Sequence, residues 1–319
     1  MGSTDLPSAL FKEIVADVHN IQVSRYTMLA LSILYIYDLV TTLDQEVELV
    51  WKKPKSLLSV LFFLNRYVPL CAAVIGPAVF LISTPELTNS VCENWMKYMC
   101  GESVVTLATI HVILVIRVWA IYQRSMRILI PLVVFGMCSF ISYSTIILAG
   151  NIRPSNAEPV PGFFTCTFEE PSWYAATWLP LLAFETTLFI LVLWRGYQMF
   201  RKSDSIVPIS GTSGRRLAQV LVRDSVIYYL STGMVLVMNT CMWYWADGSL
   251  LESSSSYALF LPPIVTSKLL LNLRAEIFSP DQNTVEFSTF RAAVHENSEL
   301  DTFTAHIERW EEWSPNTGA

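Results

Sequence analysis

The stretch ILIPLVVFGMCSFISYSTIILAG, Ile128 to Gly150, contains no charged side chain. At about 1.5 Å per residue, a helix of ~23 residues is about 34 Å long, enough to cross the roughly 30 Å hydrocarbon core of a bilayer. Lipid offers the backbone no hydrogen-bond partners, so a run of this length satisfies its own N–H and C=O groups as a helix. Six further stretches repeat the pattern, over Tyr26–Asp44, Leu57–Ile82, Met99–Tyr122, Tyr174–Phe200, Leu217–Trp245 and Tyr257–Leu273. The fold class predicted is all-α, a bundle of seven transmembrane helices. The seventh is interrupted by Pro262-Pro263 and carries Lys268, both of which a helix packed inside a bundle tolerates.

Composition agrees. Of 319 residues, 53% are hydrophobic and 15% charged, against about 25% charged in a soluble chain. The net charge of -6 excludes the basic footprint of a nucleic-acid binder. The first 25 residues lack the basic and apolar regions of a signal peptide, with Glu13, Asp17 and His19 interrupting them, so the first span is expected to be the insertion signal.

Basic residues set the orientation. Lys52, Lys53, Lys55, Arg124, Arg127, Arg201, Lys202, Arg215, Arg216 and Arg274 fall on one side, against Lys97 and Arg153 on the other. The N-terminus is therefore expected outside and the C-terminus in the cytoplasm. Residues 1–25 read as a short extracellular segment, 26–274 as the membrane domain and 275–319 as an acidic cytoplasmic tail. In that tail Ile307, Trp310 and Trp313 could form a short amphipathic helix, although a solvated coil is the simpler reading. The inner loop Lys202–Arg216 is rich in Ser and Gly and reads as flexible. The outer loop Asn151–Trp173 holds four prolines and Cys166. Disulfides persist on the oxidising side of a membrane. Cys166 is expected to bond to Cys92, with Cys100 as the alternative and three free thiols as a third reading. Cys71, Cys138 and Cys241 read as small apolar packers within the spans.

Ionisable residues at membrane depth are expensive and face the bundle interior or a wet cavity. Arg66 lies roughly 15 Å into the second span, and Asp38 reaches a comparable depth in the first. His111 and Glu185 lie near the middles of the third and fifth spans. Asp38, Arg66, His111 and Glu185 could form one polar ligand pocket or a proton-coupled switch, with Glu102 at its entrance. Equally, the pairs could only satisfy each other and set helix register. Nearer the inner face, Arg117 and Asp224 could tie the third helix to the sixth, with Arg223 beside them, and breaking that tie would switch the bundle. The plainer reading is snorkelling of basic side chains to the interface, which is favoured for Lys268 and Arg274. Lys268 raises the question of a retinal Schiff base, but Glu102, the only acid the third span offers as counter-ion, lies far toward the other face.

No hydrolase, metalloprotease or phosphate-loop motif occurs, and the four histidines are scattered. No catalytic residue, metal site or cofactor is expected.

The segments YDLVTTLDQE (37–46), Val50-Trp51-Lys52 and FLNRY (63–67) with Pro69 resemble a family of fungal, mainly basidiomycete, seven-helix membrane proteins catalogued as a domain of unknown function. Cys92, RVWAIY (117–122), Phe184-Glu185, LVRD (221–224) and SKLLLNLR (267–274) resemble later parts of the same family, with Ser225 where the resemblance leads one to expect glycine. The resemblance implies an integral membrane protein of no known activity, with Arg66, Glu185, Arg223, Asp224 and Arg274 belonging to the family's design. The plan is also similar to rhodopsin-like G-protein-coupled receptors in its outer cysteines and in an Arg at the inner end of helix three. However, Ile116 precedes Arg117, span six lacks a proline, and span seven lacks N-P-x-x-Y. The expected function is a receptor-like sensor of a small molecule or lipid, in the plasma membrane, acting on a cytoplasmic effector. The alternatives are a proton-coupled transporter and a non-signalling membrane scaffold.

Overall fold

The computed structural model describes residues 8–81, 87–122, 125–150, 153–156, 164–169, 172–201, 212–245 and 248–278. Residues 202–211 of the inner loop and the tail beyond Phe278, with its Ile307, Trp310 and Trp313, lie outside the described residues. Seven helices are long and apolar enough to span a membrane. They are α1 (Ser8–Glu46), α2 (Leu57–Leu81), α3 (Asn89–Ile121), α4 (Met126–Gly150), α5 (Trp178–Arg201), α6 (Thr212–Trp245) and α7 (Gly248–Phe278). A π-helical turn, Val47–Trp51, follows α1, and a 3-10 turn, Ser172–Thr177, leads into α5. Each helix packs on its neighbours in sequence, α7 closes back onto α1, and α3 also touches α5, α6 and α7. The result is a ring of helices with α3 toward its centre.

The membrane-facing surface is as apolar as the core. On α4, Ile130, Val134, Met137, Ile141 and Leu148 are exposed while Leu132, Ser139 and Tyr143 are buried. Lipid and core both accept hydrocarbon, so the 3.6-residue alternation that marks a soluble amphipathic helix is blurred. What distinguishes the inner faces is small and polar residues that let helices approach and hydrogen-bond across. Asn239 Nδ2 donates to the Ser254 carbonyl at 3.0 Å, Ser253 Oγ to Thr27 Oγ1 at 3.3 Å, and Ser139 Oγ to the Pro180 carbonyl at 2.8 Å. Helix α7 starts at Gly248 rather than Tyr257, and two of these bonds fall in its added first turns, at Ser253 and Ser254. The run Ser253–Ser256 reads as a loop by composition, yet it is a closely packed helical interface.

Prolines inside helices are managed in the same way. Pro69 has no N–H, so the Asn65 carbonyl loses its helical donor. The Tyr35 hydroxyl of α1 lies 3.5 Å from that oxygen and donates to the next carbonyl, Arg66, at 2.7 Å. The Asn65 side chain in turn donates to the Pro263 carbonyl at 3.0 Å and to Ser267 Oγ at 2.9 Å, tying α2 to the proline-bearing segment of α7. The helix α7 continues through Pro262-Pro263.

Helix α1 starts well before Tyr26, and its first residues were expected only as a short segment. Ile14, Val18, Ile21, Ser24 and Met28 lie on its less exposed side. Their spacing of three and four is a helical stripe, so the span extends outward as one continuous helix. Arg25 Nη2 donates to the Phe164 carbonyl at 2.7 Å, tying α1 to the loop before α5. That loop contains a two-stranded antiparallel ribbon, β1 (Arg153–Asn156) and β2 (Thr167–Glu169), which the proline-rich sequence did not suggest. Strand β1 lies against α3 and β2 against α7. Cys166 bonds to Cys92, not Cys100, with Cα atoms 5.4 Å apart. Both halves are buried beside Leu87.

The bond closes a long loop, so the denatured state gains most from its removal. Cys166→Ser is expected to destabilise the bundle by about 2–4 kcal/mol. The Cys92→Ser/Cys166→Ser pair should cost no more than either single change. Denaturant unfolding in nanodiscs measures this, and a fully additive double variant would contradict the bond.

Candidate functional site

The polar residues at membrane depth form two separate sites, not the single pocket that the sequence suggested. The first lies between α1, α2 and α7. Arg66 is fully buried. Its Nη1 meets Asp38 Oδ2 at 2.7 Å and its Nε meets Glu46 Oε1 at 2.8 Å. Its Nη2 donates to the Asp38 carbonyl at 3.2 Å and to Thr42 Oγ1. Asp38, Thr42 and Glu46 are spaced by four, so successive turns of one helix face present them to the guanidinium. Glu46 was not foreseen as a partner, although this spacing signals it. Its second oxygen accepts from the Tyr67 hydroxyl at 3.1 Å.

Lys268 corrects a second expectation. Rather than only snorkelling, its Nζ lies 2.8 Å from Asp38 Oδ1, with the side chain 55% exposed. Two carboxylates and two cations thus meet in one cluster, and nearly every polar atom of Arg66 is satisfied. A buried ion pair of this kind holds geometry, because removing one partner strands the others. Further along, Arg274 fastens the C-terminal part of α7. It donates to the Leu49 carbonyl at 2.8 Å and to Ser59 Oγ at 2.9 Å.

The second site is a cavity of about 230 Å³ bounded mainly by α3, α5, α6 and α7. Small-molecule pockets start near ~300 Å³, so its size is that of a compact ligand. Its wall is largely apolar and aromatic, with Trp95, Tyr143, Tyr174, Trp178, Tyr228 and Trp243 among the lining residues. Tyr174 and Trp178 each pack on Trp243, with ring centroids 5.4 and 6.1 Å apart.

His111 and Glu185 both line this cavity. Each is only 6% exposed. Both His111 nitrogens and Glu185 Oε2 are without a hydrogen-bond partner among the described residues. The imidazole packs edge-on to Phe184, with centroids 4.5 Å apart. The two side chains therefore share a cavity without bonding to each other, unlike the Asp38–Arg66 pair. Buried polar atoms of this kind are rare, because each costs roughly 1–3 kcal/mol if left unpaired.

Glu102 does not line the cavity mouth as expected. It is buried, and its Oε1 accepts from Thr106 at 2.9 Å. Helix α3 turns Met99, Ser103, Thr106, Ile110 and His111 to the cavity, and position 102 falls off that stripe.

Near the C-terminal end of α3, Arg117 Nε donates to Ser225 Oγ at 2.6 Å. This corrects the expected Arg117–Asp224 tie: α3 is joined to α6 through the neighbouring hydroxyl. Asp224 instead pairs with the exposed Arg223 at 3.3 Å. The residue that departs from the resemblance, Ser225, is the one that accepts from Arg117.

Residues 26–71 match the model of a family described as a family of unknown function (DUF6533). The matched segment contains Asp38, Glu46, Arg66 and Tyr67 of the charged cluster, and of the cavity wall it contains only Met28. No curated protein was found to match the chain.

Replacing Arg66 with Met should cost about 3–5 kcal/mol, because two carboxylates would be left with Lys268 alone. Adding Glu46→Gln should restore part of that loss, with a coupling of about 1–3 kcal/mol between the two sites. A double-mutant cycle by chemical unfolding in bicelles reads it, and strict additivity would mean that the two side chains do not interact.

Proposed function

We propose that this integral membrane protein is a receptor-like sensor that binds a small molecule or lipid in the cavity between α3, α5, α6 and α7. The observation that carries the reading is that two buried ionisable side chains, His111 and Glu185, meet a largely apolar cavity without a partner among the described residues, as do the polar atoms of Trp178, Tyr228, Thr232 and Trp243 in the same wall. An apolar pocket with a few convergent polar groups is the usual form of a ligand site. The disulfide supports this assignment, because Cys92 and Cys166 brace the loop that runs from β2 into α5 at the cavity's end of the bundle.

The proposed orientation places that end outside and α7's end in the cytoplasm, in the plasma membrane, on the strength of the basic residues clustered at the opposite end. Ligand would then enter from the disulfide side. The change would pass along α3 and α6 to the Arg117–Ser225 contact and the Arg223-Asp224 pair, and from there to a cytoplasmic effector. A proton-coupled transporter is the second reading. It rests on Glu185, an acid without a cation beside it, and differs in requiring a path through the bundle.

A thermal-shift screen of the full chain in nanodiscs, using metabolites and lipids, tests the binding. A true ligand at a hundredfold excess over Kd adds about 2.7 kcal/mol. Its effect should vanish in Ser103→Phe, which fills the cavity, and persist in Lys97→Ala, whose ion pair with Glu93 is exposed. A shift that ignores Ser103→Phe would place the site elsewhere. Glu185-dependent solute flux in proteoliposomes would favour transport, and the absence of any stabiliser would favour a scaffold.

A further inference from the structure

We infer that the cavity takes a ligand with a compact apolar or aromatic body and a single ammonium group, with the ammonium seated against Glu185. This rests on the binding reading above and narrows it to a ligand class.

Charge is the first argument. Glu185 is the only acidic side chain lining the cavity, and neither Lys nor Arg lines it. Every other buried acid in the described helices already has a partner. Asp38 has Arg66 and Lys268, Glu46 has Arg66 and Tyr67, and Glu102, which does not line the cavity, has Thr106 at Oε1 and no partner among the described residues at Oε2. Among the described residues, Arg66 and Lys268 are ion-paired in the charged cluster, while Arg117 and Arg274 donate to neutral oxygens at Ser225, Leu49 and Ser59. Among the described residues no Lys or Arg lines the cavity to pair with Glu185, and buried charges are found paired. An anionic ligand would meet like charge with no basic residue to offset it.

Geometry is the second argument. Trp178, Leu181 and Glu185 line the cavity from one face of α5. Seven residues separate the first from the last, about 10 Å along the axis. The cavity is therefore graded, with packed rings of Tyr174, Trp178 and Trp243 at one level and the carboxyl about two turns further along. The rings contact each other, so they offer a wall for an apolar body rather than an open cage for the cation. An ammonium brings three donors. One of them can go to Glu185 Oε2, which has no partner among the described residues. A carboxylate or a hydrocarbon brings no donor and would leave that oxygen unpaired.

The test is a matched ligand series on the unmodified full chain in nanodiscs. Primary amine, alcohol and carboxylate are compared on three bodies: indolylethyl, naphthylethyl and n-octyl. The expected result is binding of at least one amine at least tenfold tighter than its alcohol, with no binding of the carboxylates. Glu185→Gln should abolish that preference, while Glu185→Asp should keep part of it. Equal or tighter binding of alcohols or carboxylates would overturn the ammonium assignment and leave the cavity as a ligand site. So would an amine preference that survives Glu185→Gln. If no amine binds while the broader screen yields a Ser103→Phe-sensitive ligand, the ammonium inference alone falls. If neither binds, the cavity reading falls with it. The series on the unmodified chain decides the matter even where a Glu185 variant does not fold.

Discussion

A guanidinium with no access to water has to find its counter-charges inside the protein, and Arg66 imposes that requirement on three helices at once. Asp38 and Glu46 must sit two turns apart on α1, and α2 must present Arg66 at the height between them. Lys268 of α7 then adds a second cation at Asp38, so that two cations face two carboxylates. Shifting any one helix by a single residue would rotate its polar group about 100° away and leave a charge stranded. Hydrophobic packing cannot impose such a register in lipid, because tails outside the bundle are as apolar as side chains inside it. The cluster therefore acts as an index mark that sets how α1, α2 and α7 line up.

The backbone obeys the same rule on a smaller scale. Pro69 in α2 removes a donor, and Tyr35 of α1 reaches the affected carbonyls. Asn65, one position before Arg66, bonds α7 at Pro263 and Ser267. Consecutive residues of α2 thus hold both neighbours, one through charge and one through an amide. Disorder at this point would cost several unsatisfied groups together, so the local contacts form a cooperative unit.

Much of this was legible in the sequence. The seven apolar runs, the pairing of Asp38 with Arg66 and the choice of Cys92 for Cys166 follow from length, depth and compartment. What the sequence hid has physical causes. Helix ends were misjudged where serines line a close interface, at Ser253–Ser256, because composition alone cannot distinguish a tight helical contact from a loop. Glu46 was overlooked because it stands near the expected end of a span, where an acid reads as solvated, although its four-residue spacing from Thr42 and Asp38 marks one face. Arg117 meets Ser225 rather than Asp224 because side-chain direction around α6, not sequence adjacency, decides which polar group faces α3. His111 and Glu185 were matched in depth, but depth does not say whether two groups touch.

The division between the two polar sites has a consequence for how function is distributed. The charged cluster is closed: its acids and bases match, and its atoms are nearly all engaged. A group in that state resists change and is well suited to maintaining an architecture. The cavity is the reverse, with an acid and an imidazole held apart from each other in an apolar wall. The segment matching the family of unknown function contains almost all of the first site and, of the second, only Met28. Chains that share this segment would then share the indexing of α1 and α2 while being free to differ along α3, α5, α6 and α7. On that argument the family match speaks for the scaffold, and the identity of whatever binds has to be read from the cavity of each chain separately.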